Sequence, residues 1–167
     1  MSYLAFEIRP IAEADLALVE AAFPADDAAK HAERLARQRR GLAAYLIAWV
    51  EGRPAGHVLV KWGGSTDERV ARQLRAAQDS RSPCPDIEDL WVLPELRSRG
   101  IGGRLLGAAE RLAMERKYQQ VGLSVAAGNP SARRLYERLG YADAGFGDYV
   151  ERGVAVDAQG RRHIWEE

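Results

Sequence analysis

Two stretches of this 167-residue chain carry side chains whose types and spacing could do chemistry. The first is Ile87-Glu88-Asp89-Leu90-Trp91-Val92-Leu93-Pro94, followed by Arg97-Ser98-Arg99-Gly100-Ile101-Gly102-Gly103-Arg104. It reads as a strand, a short loop and a helix that begins near Gly100. A helix start leaves backbone N–H groups unpaired at the positive end of its dipole. Glycines at 100, 102 and 103 let a ligand approach that backbone, and Arg97, Arg99 and Arg104 add donors suited to phosphate oxygens. The chemistry predicted is the holding of a diphosphate. Neither Gly-x-x-x-x-Gly-Lys-Ser/Thr nor Gly-x-Gly-x-x-Gly occurs here, so a P-loop NTPase or a Rossmann dehydrogenase is not expected.

The second stretch runs from Asn129 to Tyr141. Asn129 is a good N-cap, Pro130 suits the first helical position, and Gly140 ends the helix. Ala132, Leu135 and Leu139 form its apolar stripe. Tyr136 lies at the edge of that stripe, where a phenol is half-buried with its hydroxyl exposed. On the strand, simple alternation puts Asp86, Glu88, Leu90 and Val92 on one face and Ile87, Asp89, Trp91 and Leu93 on the other.

Arg97-x-x-Gly100-x-Gly102 after a strand, then Asn129-x-x-Ala132-x-x-x-Tyr136-x-x-x-Gly140-Tyr141, resembles the GCN5-related N-acetyltransferases. The resemblance is close from Ile87 to Tyr141. It implies an α/β (α+β) fold: a mixed, mainly antiparallel sheet of six to seven strands, flanked by about four helices and splayed between strands 4 and 5. It implies acetyl-CoA as co-substrate, with no metal. The backbone of Leu90, Trp91 and Val92 would pair with the pantetheine arm. Arg97, Ser98, Arg99, Gly100, Ile101, Gly102 and Gly103, with Arg104 beside them, would hold the pyrophosphate. Asn129 would lie near the thiol, Arg133 would reach the cofactor, and Tyr136 would protonate or hydrogen-bond the departing thiolate. Glu88, with Asp86 in reserve, is the expected acceptor-binding carboxylate and general base. The implied activity is acetyl transfer to a primary amine of a small molecule. A protein N-terminal or lysine acetyltransferase and a non-catalytic acyl-CoA-binding module are the alternatives.

The rest of the chain must position these residues. Lys and Arg total 24 against 24 Asp and Glu, which argues against nucleic acid as main partner. Arg34, Arg37, Arg39 and Arg40 accordingly read as a solvated helix end. An apolar share of 47% supports a real core, and 167 residues suit one domain over 1–167. A lone Cys84 between prolines excludes an internal disulfide and reads as a loop residue. His31, His57 and His163 are dispersed in sequence, so no metal site is expected. No apolar run reaches membrane-spanning length, and Met1 to Arg9 lacks signal-peptide character; the expectation is a cytoplasmic protein without membrane contact.

The element order expected is a strand at Tyr3 to Ile8, then helices over Ile11 to Phe23 and Asp26 to Arg40. The first of these helices would bury Ala14, Leu18 and Ala21/Ala22. A hairpin follows over Leu42 to Val50 and Pro54 to Trp62. The polar segment Gly63 to Pro85 includes a short helix with Val70 and Leu74 on one side and is expected to wall the acceptor pocket. After the strand at Ile87 to Leu93 come a helix over Ile101 to Lys117, a strand over Val121 to Ala126, a helix over Asn129 to Leu139, and strands over Tyr141 to Val156 and Arg162 to Trp165. An exposed edge strand near the C-terminus would suit a homodimer.

Overall fold

The computed structural model describes residues 5–25, 27, 29–69, 71–72, 84–145, 147–148, 152–156 and 159–166. Strand β1 spans Phe6–Pro10, and a 3₁₀ turn at Glu13–Asp15 leads into α1, Leu16–Ala22. Helix α2 is Lys30–Arg39, followed by β2 (Ala43–Val50), β3 (Arg53–Lys61) and β4 (Asp86–Val92). Helix α3 is Ile101–Glu115, β5 is Gly122–Leu123, α4 is Pro130–Arg138, and β6 and β7 are Arg152–Val156 and Arg162–Glu166.

The hairpin forms as its sequence predicts. Glu51 and Gly52 both take positive φ, 49° and 74°, the tight primed turn that matches strand twist. Strands β1 to β5 form one sheet in sequence order, antiparallel except for the parallel pair β4–β5. Among the described residues β6 and β7 pair only with each other, so the expected six- to seven-stranded sheet is a five-stranded sheet plus a hairpin. β6 also starts later than expected: the described residues from Tyr141 to Asp148 carry no strand. Most of the segment expected to wall the acceptor, residues 73–83 with Val70 and Leu74, lies outside the described residues.

Both faces of the sheet are covered. Leu46, Ala48, Val58, Val60 and Ile87 pack on Leu105, Leu106, Ala109 and Ala113 of α3. Tyr45, Ile47, Trp49 and Leu59 pack on Val19, Phe23 and Leu35 of α1 and α2. Because β2 and β3 are buried on both faces, their sequences are almost continuously apolar.

The inner row of α1 differs from the expected one. Ile11, Asp15, Val19 and Phe23 face the core, while Leu18 is 54% exposed. A carboxylate takes an inward place because Arg9 grips it with two hydrogen bonds, 2.5 and 3.0 Å, and the Ala12 N–H donates to it at 2.7 Å. An alanine-rich helix offers two candidate stripes, and a paired polar group decided between them.

Candidate functional site

Strand β5 is shorter than the expected Val121 to Ala126, and this creates the central feature of the site. It pairs with β4 only at Asp86↔Gly122 and Ile87↔Leu123. From Glu88 onward the β5-facing edge of β4 has no strand partner among the described residues. An open sheet edge of this kind accepts an extended chain through main-chain hydrogen bonds.

The other edge of β4 is paired to β3, with an irregularity. His57 faces Trp91 and Leu59 faces Glu88, so Val58 alone is opposed by both Asp89 and Leu90. This is a β-bulge, and Asp89 carries its unusual backbone, φ 50°. The extra residue overturns the alternation expected from the sequence. Asp86 and Glu88 share a face with Lys61, Leu59, His57 and Trp91, toward α1 and α2. Leu90 and Val92 instead join Ile87 in the cluster under α3.

A 3₁₀ turn at Pro94–Leu96 follows β4, and Gly100 then caps α3 in the left-handed region at φ 80°. Arg104 is the first α3 residue whose N–H meets a carbonyl of its own chain, that of Gly100 at 3.1 Å. The N–H groups ahead of it form the donor-rich start predicted for the diphosphate. The arginines are less convergent than their sequence suggests. Arg97 donates from Nε to the Val92 carbonyl at 3.0 Å and sits over the Trp91 ring. Arg104 turns toward β1 and lies 4.6 Å over the Phe6 ring. Arg99 is exposed. A Cβ on Gly102 would meet Leu135, Leu90 and Val92 at 3.7–4.0 Å, so this position faces the crevice between α3, α4 and β4.

Helix α4 closes that crevice. Asn129 caps it, its Oδ1 accepting from the Ala132 N–H at 3.1 Å, and its amide remains exposed. Leu135 and Tyr136 are half-buried, but Leu139 of the expected stripe is 44% exposed because α4 lies at the margin of the sheet. Tyr136 packs against the α3-side cluster, 5.9 Å from the Tyr141 ring. Its hydroxyl has no hydrogen-bond partner among the described residues, and burial raises its pKa. Tyr141 is committed elsewhere, donating to Glu110 at 2.7 Å. Arg133 is exposed and bonded to Glu137 and Asp143 at 3.0 and 3.4 Å.

On the opposite face of β4, Lys61 is buried between two carboxylates. Its Nζ is 3.6 Å from Asp86 Oδ2 and is paired with Glu88 Oε1. Asp86 is buried, whereas the Glu88 side chain keeps 32% exposure. Beside them Asp89 Oδ2 is held by Lys30 Nζ at 2.6 Å and Arg34 Nη2 at 2.8 Å. Burial pushes the Asp89 carboxyl up, but Arg34 and its neighbouring cations outweigh that and hold it well below the usual range. Arg34 is therefore no solvated helix end: its side chain is 12% exposed and lies over Tyr45.

His31 and His57, far apart in sequence, meet in an aromatic cluster with Phe23, Tyr45 and Trp91. His31 Nε2 is 2.6 Å from the Phe23 carbonyl and Nδ1 is 2.8 Å from the Tyr45 hydroxyl, and burial lowers the pKa of the ring. Burial depresses the pKa of His57 to about 3.

Sequence reasoning missed Lys61, Lys30 and Arg34. Lys61 was visible in the hairpin: counted along β3, it falls opposite Asp86. Lys30 and Arg34 are one helical turn apart, beside the inward His31 and Leu35. A cavity of about 340 Å³ bounded by Phe6, Arg9, Leu18 and Trp49 lies at the β1 edge, away from the opened pair. Among the described residues no group of three or more His, Cys, Asp or Glu side chains could hold a metal ion, and no helix is long and apolar enough to cross a membrane.

Residues 11–141 match the family model described as acetyltransferase (GNAT) family. A Bacillus subtilis (strain 168) protein described as uncharacterized N-acetyltransferase YhfO is 42% identical over 64 residues, 38% of this chain and 43% of that protein. The Bos taurus thialysine N-epsilon-acetyltransferase is 35% identical over 57 residues, 34% of each chain. The matches thus span less than half the length of these curated relatives. Among solved structures, AAC(6')-Iy in complex with the bisubstrate analog CoA-S-monomethyl-acetylneamine superposes with TM-score 0.68 at 20% identity, covering 87% of this chain and 96% of that one. The aminoglycoside 6'-N-acetyltransferase AAC(6')-IG of Acinetobacter haemolyticus gives 0.63 at 19%, covering 86% and 95%. The structural likeness is one of fold.

Proposed function

The chain belongs to the acetyltransferase (GNAT) family, and we propose that it transfers the acetyl group of acetyl-CoA to a primary amine of a small molecule by direct attack. The observation that carries this reading is the early end of β4–β5 pairing, which leaves the edge of β4 open beside the donor-rich start of α3 and the free hydroxyl of Tyr136. The extended pantetheine arm fits along that edge, and the pyrophosphate fits the N–H groups ahead of Arg104. Arg97 has to leave the Val92 carbonyl for the arm to use that acceptor. The small-molecule class is supported by the aminoglycoside and thialysine acetyltransferases among its relatives.

An aliphatic ammonium with pKa about 10.4 is neutral in only about one molecule in 2,500 at pH 7, a handicap of about 4.6 kcal/mol. Glu88 receives that ammonium on the α1–α2 face. Lys61 holds one of its oxygens, which leaves the other for the acceptor. With the proton passed to Glu88, the nitrogen attacks the thioester carbonyl through the opening between β4 and β5. As the carbon–sulfur bond breaks, Tyr136 gives its proton to the thiolate from the α3 face, and the second proton that the nitrogen sheds on becoming an amide restores the phenol through solvent. Its raised pKa keeps the phenol protonated and able to donate at neutral pH.

The test is a thiol-release assay with acetyl-CoA and a panel of polyamines, aminoglycosides, amino acids and lysine peptides, alongside calorimetry with CoA alone. Turnover of small amines supports the reading. Turnover of peptides alone moves the acceptor to protein, and CoA binding without turnover makes the chain a binding module.

A further inference from the structure

The bulge in β4 is held from outside the sheet, and its location makes that consequential. Asp89 sits two residues beyond Ile87, the last residue of β4 paired with β5. Its left-handed backbone costs a non-glycine residue on the order of 1 kcal/mol and persists only where its surroundings impose it. Its side chain is gripped from α2. Lys30 and Arg34 reach the same oxygen of Asp89, at 2.6 and 2.8 Å.

Arg34 is a costly way to stabilise a fold. It is nearly buried, and its Nη1 has no hydrogen-bond partner among the described residues. A buried ion pair with an unsatisfied donor is weak as a stabilising device. What it does accomplish is geometric. It pins the backbone at the point where β4 leaves β5, and it joins that point to the helix on the face where Glu88 meets the acceptor.

We propose that Asp89 is a positioning residue for acetyl transfer, clamped by Lys30 and Arg34 so that α2 fixes the bulge and, through it, the backbone of Leu90 to Val92 along the open edge. The proposal rests on the acetyl-transfer reading above for its catalytic consequence, but not for its structural one. With the clamp gone, β4 is free to slip toward regular alternation. The open edge would then present different groups to the thioester.

Asp89→Asn is the sharpest test. Asparagine tolerates the left-handed region as aspartate does, so the substitution removes the charge and spares the local backbone preference. Lys30→Met and Arg34→Lys serve as milder companions should that protein fail to fold; the lysine is expected to retain most function. In the free Asp89→Asn protein, amide hydrogen exchange at Leu90 and Trp91 should accelerate at least about 10-fold relative to β2. With acetyl-CoA and a turned-over amine, kcat should fall about 10- to 100-fold and KM for acetyl-CoA should rise at least about threefold, because the edge that pairs with the pantetheine arm is no longer fixed. Unchanged exchange at Leu90 and Trp91 overturns the clamp whether or not the wild type is active. A lower melting temperature with unchanged kcat also overturns it, since that is a purely structural pair. A wild type that turns over no amine refutes the acetyl-transfer reading instead, and the exchange measurement still decides the clamp.

Discussion

Glu88 lies on the α1–α2 face of β4, and Tyr136 packs on its α3 face. A proton acceptor and a proton donor on opposite sides of a sheet can serve one reaction only where the sheet is interrupted. The interruption is present, because β5 stops pairing at Ile87 and leaves the next residues of β4 unflanked on that edge. In the proposed mechanism this separates the two proton transfers in space. The acceptor would be deprotonated on one side and the leaving group protonated on the other, without either group competing for the same proton.

Tyr136→Phe retains the ring that packs against the α3-side cluster and deletes only the hydroxyl. The hydroxyl has no partner among the described residues, so stability should change by less than about 0.5 kcal/mol. Turnover should fall between about 10- and 10⁴-fold if general-acid catalysis operates. In the wild type the raised phenol pKa places loss of the donor above pH 10, so kcat should not decline on its account below that pH. A kcat for Tyr136→Phe equal to wild type from pH 6 to 9 would reassign the residue to packing.

The two carboxylates on Lys61 make separable predictions. Glu88→Gln keeps the shape of a one-third-exposed side chain but can no longer take a proton or balance an ammonium. It should lower kcat/KM for the amine by about 100-fold or more. Asp86 is buried beside the same ammonium, so Asp86→Asn should act mainly on stability, readable as a urea midpoint. Lys61→Met removes the buried cation from both and should cost about 3–5 kcal/mol. Should Asp86→Asn abolish turnover in a folded protein while Glu88→Gln spares it, the base lies two residues earlier.

Much of this arrangement was legible in the sequence, and the exceptions share a cause. Pro94, Gly100, Asn129, Pro130 and Gly140 punctuate the chain through local backbone rules, so the elements around the site follow from them directly. The bulge at Asp89 is not a local rule. Alternation counted along β4 assumes one residue opposite one, and only the pairing with β3 shows two opposite Val58. Leu90 and Trp91 therefore exchanged faces. Arg34 was likewise misread because its partner is 55 positions away, and a helix stripe reveals an inward charge only once that partner is known. Strand β5 ends early because a strand exists where a neighbour pairs with it, which apolar composition alone does not show.

The buried histidines set the acid response of the fold. The folded pKa of His57 is about 3, against about 6.5 for an ordinary imidazole, and that of His31 is lowered in the same direction, burial being the leading cause for each. Between pH 6.5 and 3 the unfolded chain binds a proton that folded His57 refuses. Stability is therefore full above about pH 6.5 and declines as the pH falls through that window. Below about pH 4 the depressed carboxyls of Asp89 and Asp15 add to the loss in the same sense. His57→Phe keeps a ring beside Phe23 and Trp91 and removes the buried Nδ1 that has no partner among the described residues. Urea midpoints should then differ less between pH 8 and pH 5 than in the wild type. An equally steep decline would place the acid sensitivity in His31 or elsewhere.

Gly102 separates a ligand's demand from a packing demand. Its φ is not in the left-handed region, so no backbone constraint calls for glycine there. A Cβ would touch Leu135, Leu90 and Val92 only at 3.7–4.0 Å, which is ordinary contact, so no steric constraint calls for it either. In the first turn of a helix, glycine in place of alanine forgoes up to about 1 kcal/mol. The protein forgoes that stability at a position opening on the crevice beside the unpaired edge of β4, where the proposed cofactor arm meets the α3 backbone. Gly102→Ala should thus raise the melting temperature slightly and weaken CoA binding at least about 10-fold by calorimetry, with Gly102→Val weakening it further as Leu135 is pushed outward. The contrast with Gly100 is diagnostic. At φ 80° with nothing within 4 Å, Gly100→Ala should lower stability by about 1–2 kcal/mol for backbone reasons alone. A Gly102→Ala protein that is more stable and binds CoA as tightly as wild type would remove the diphosphate from the start of α3.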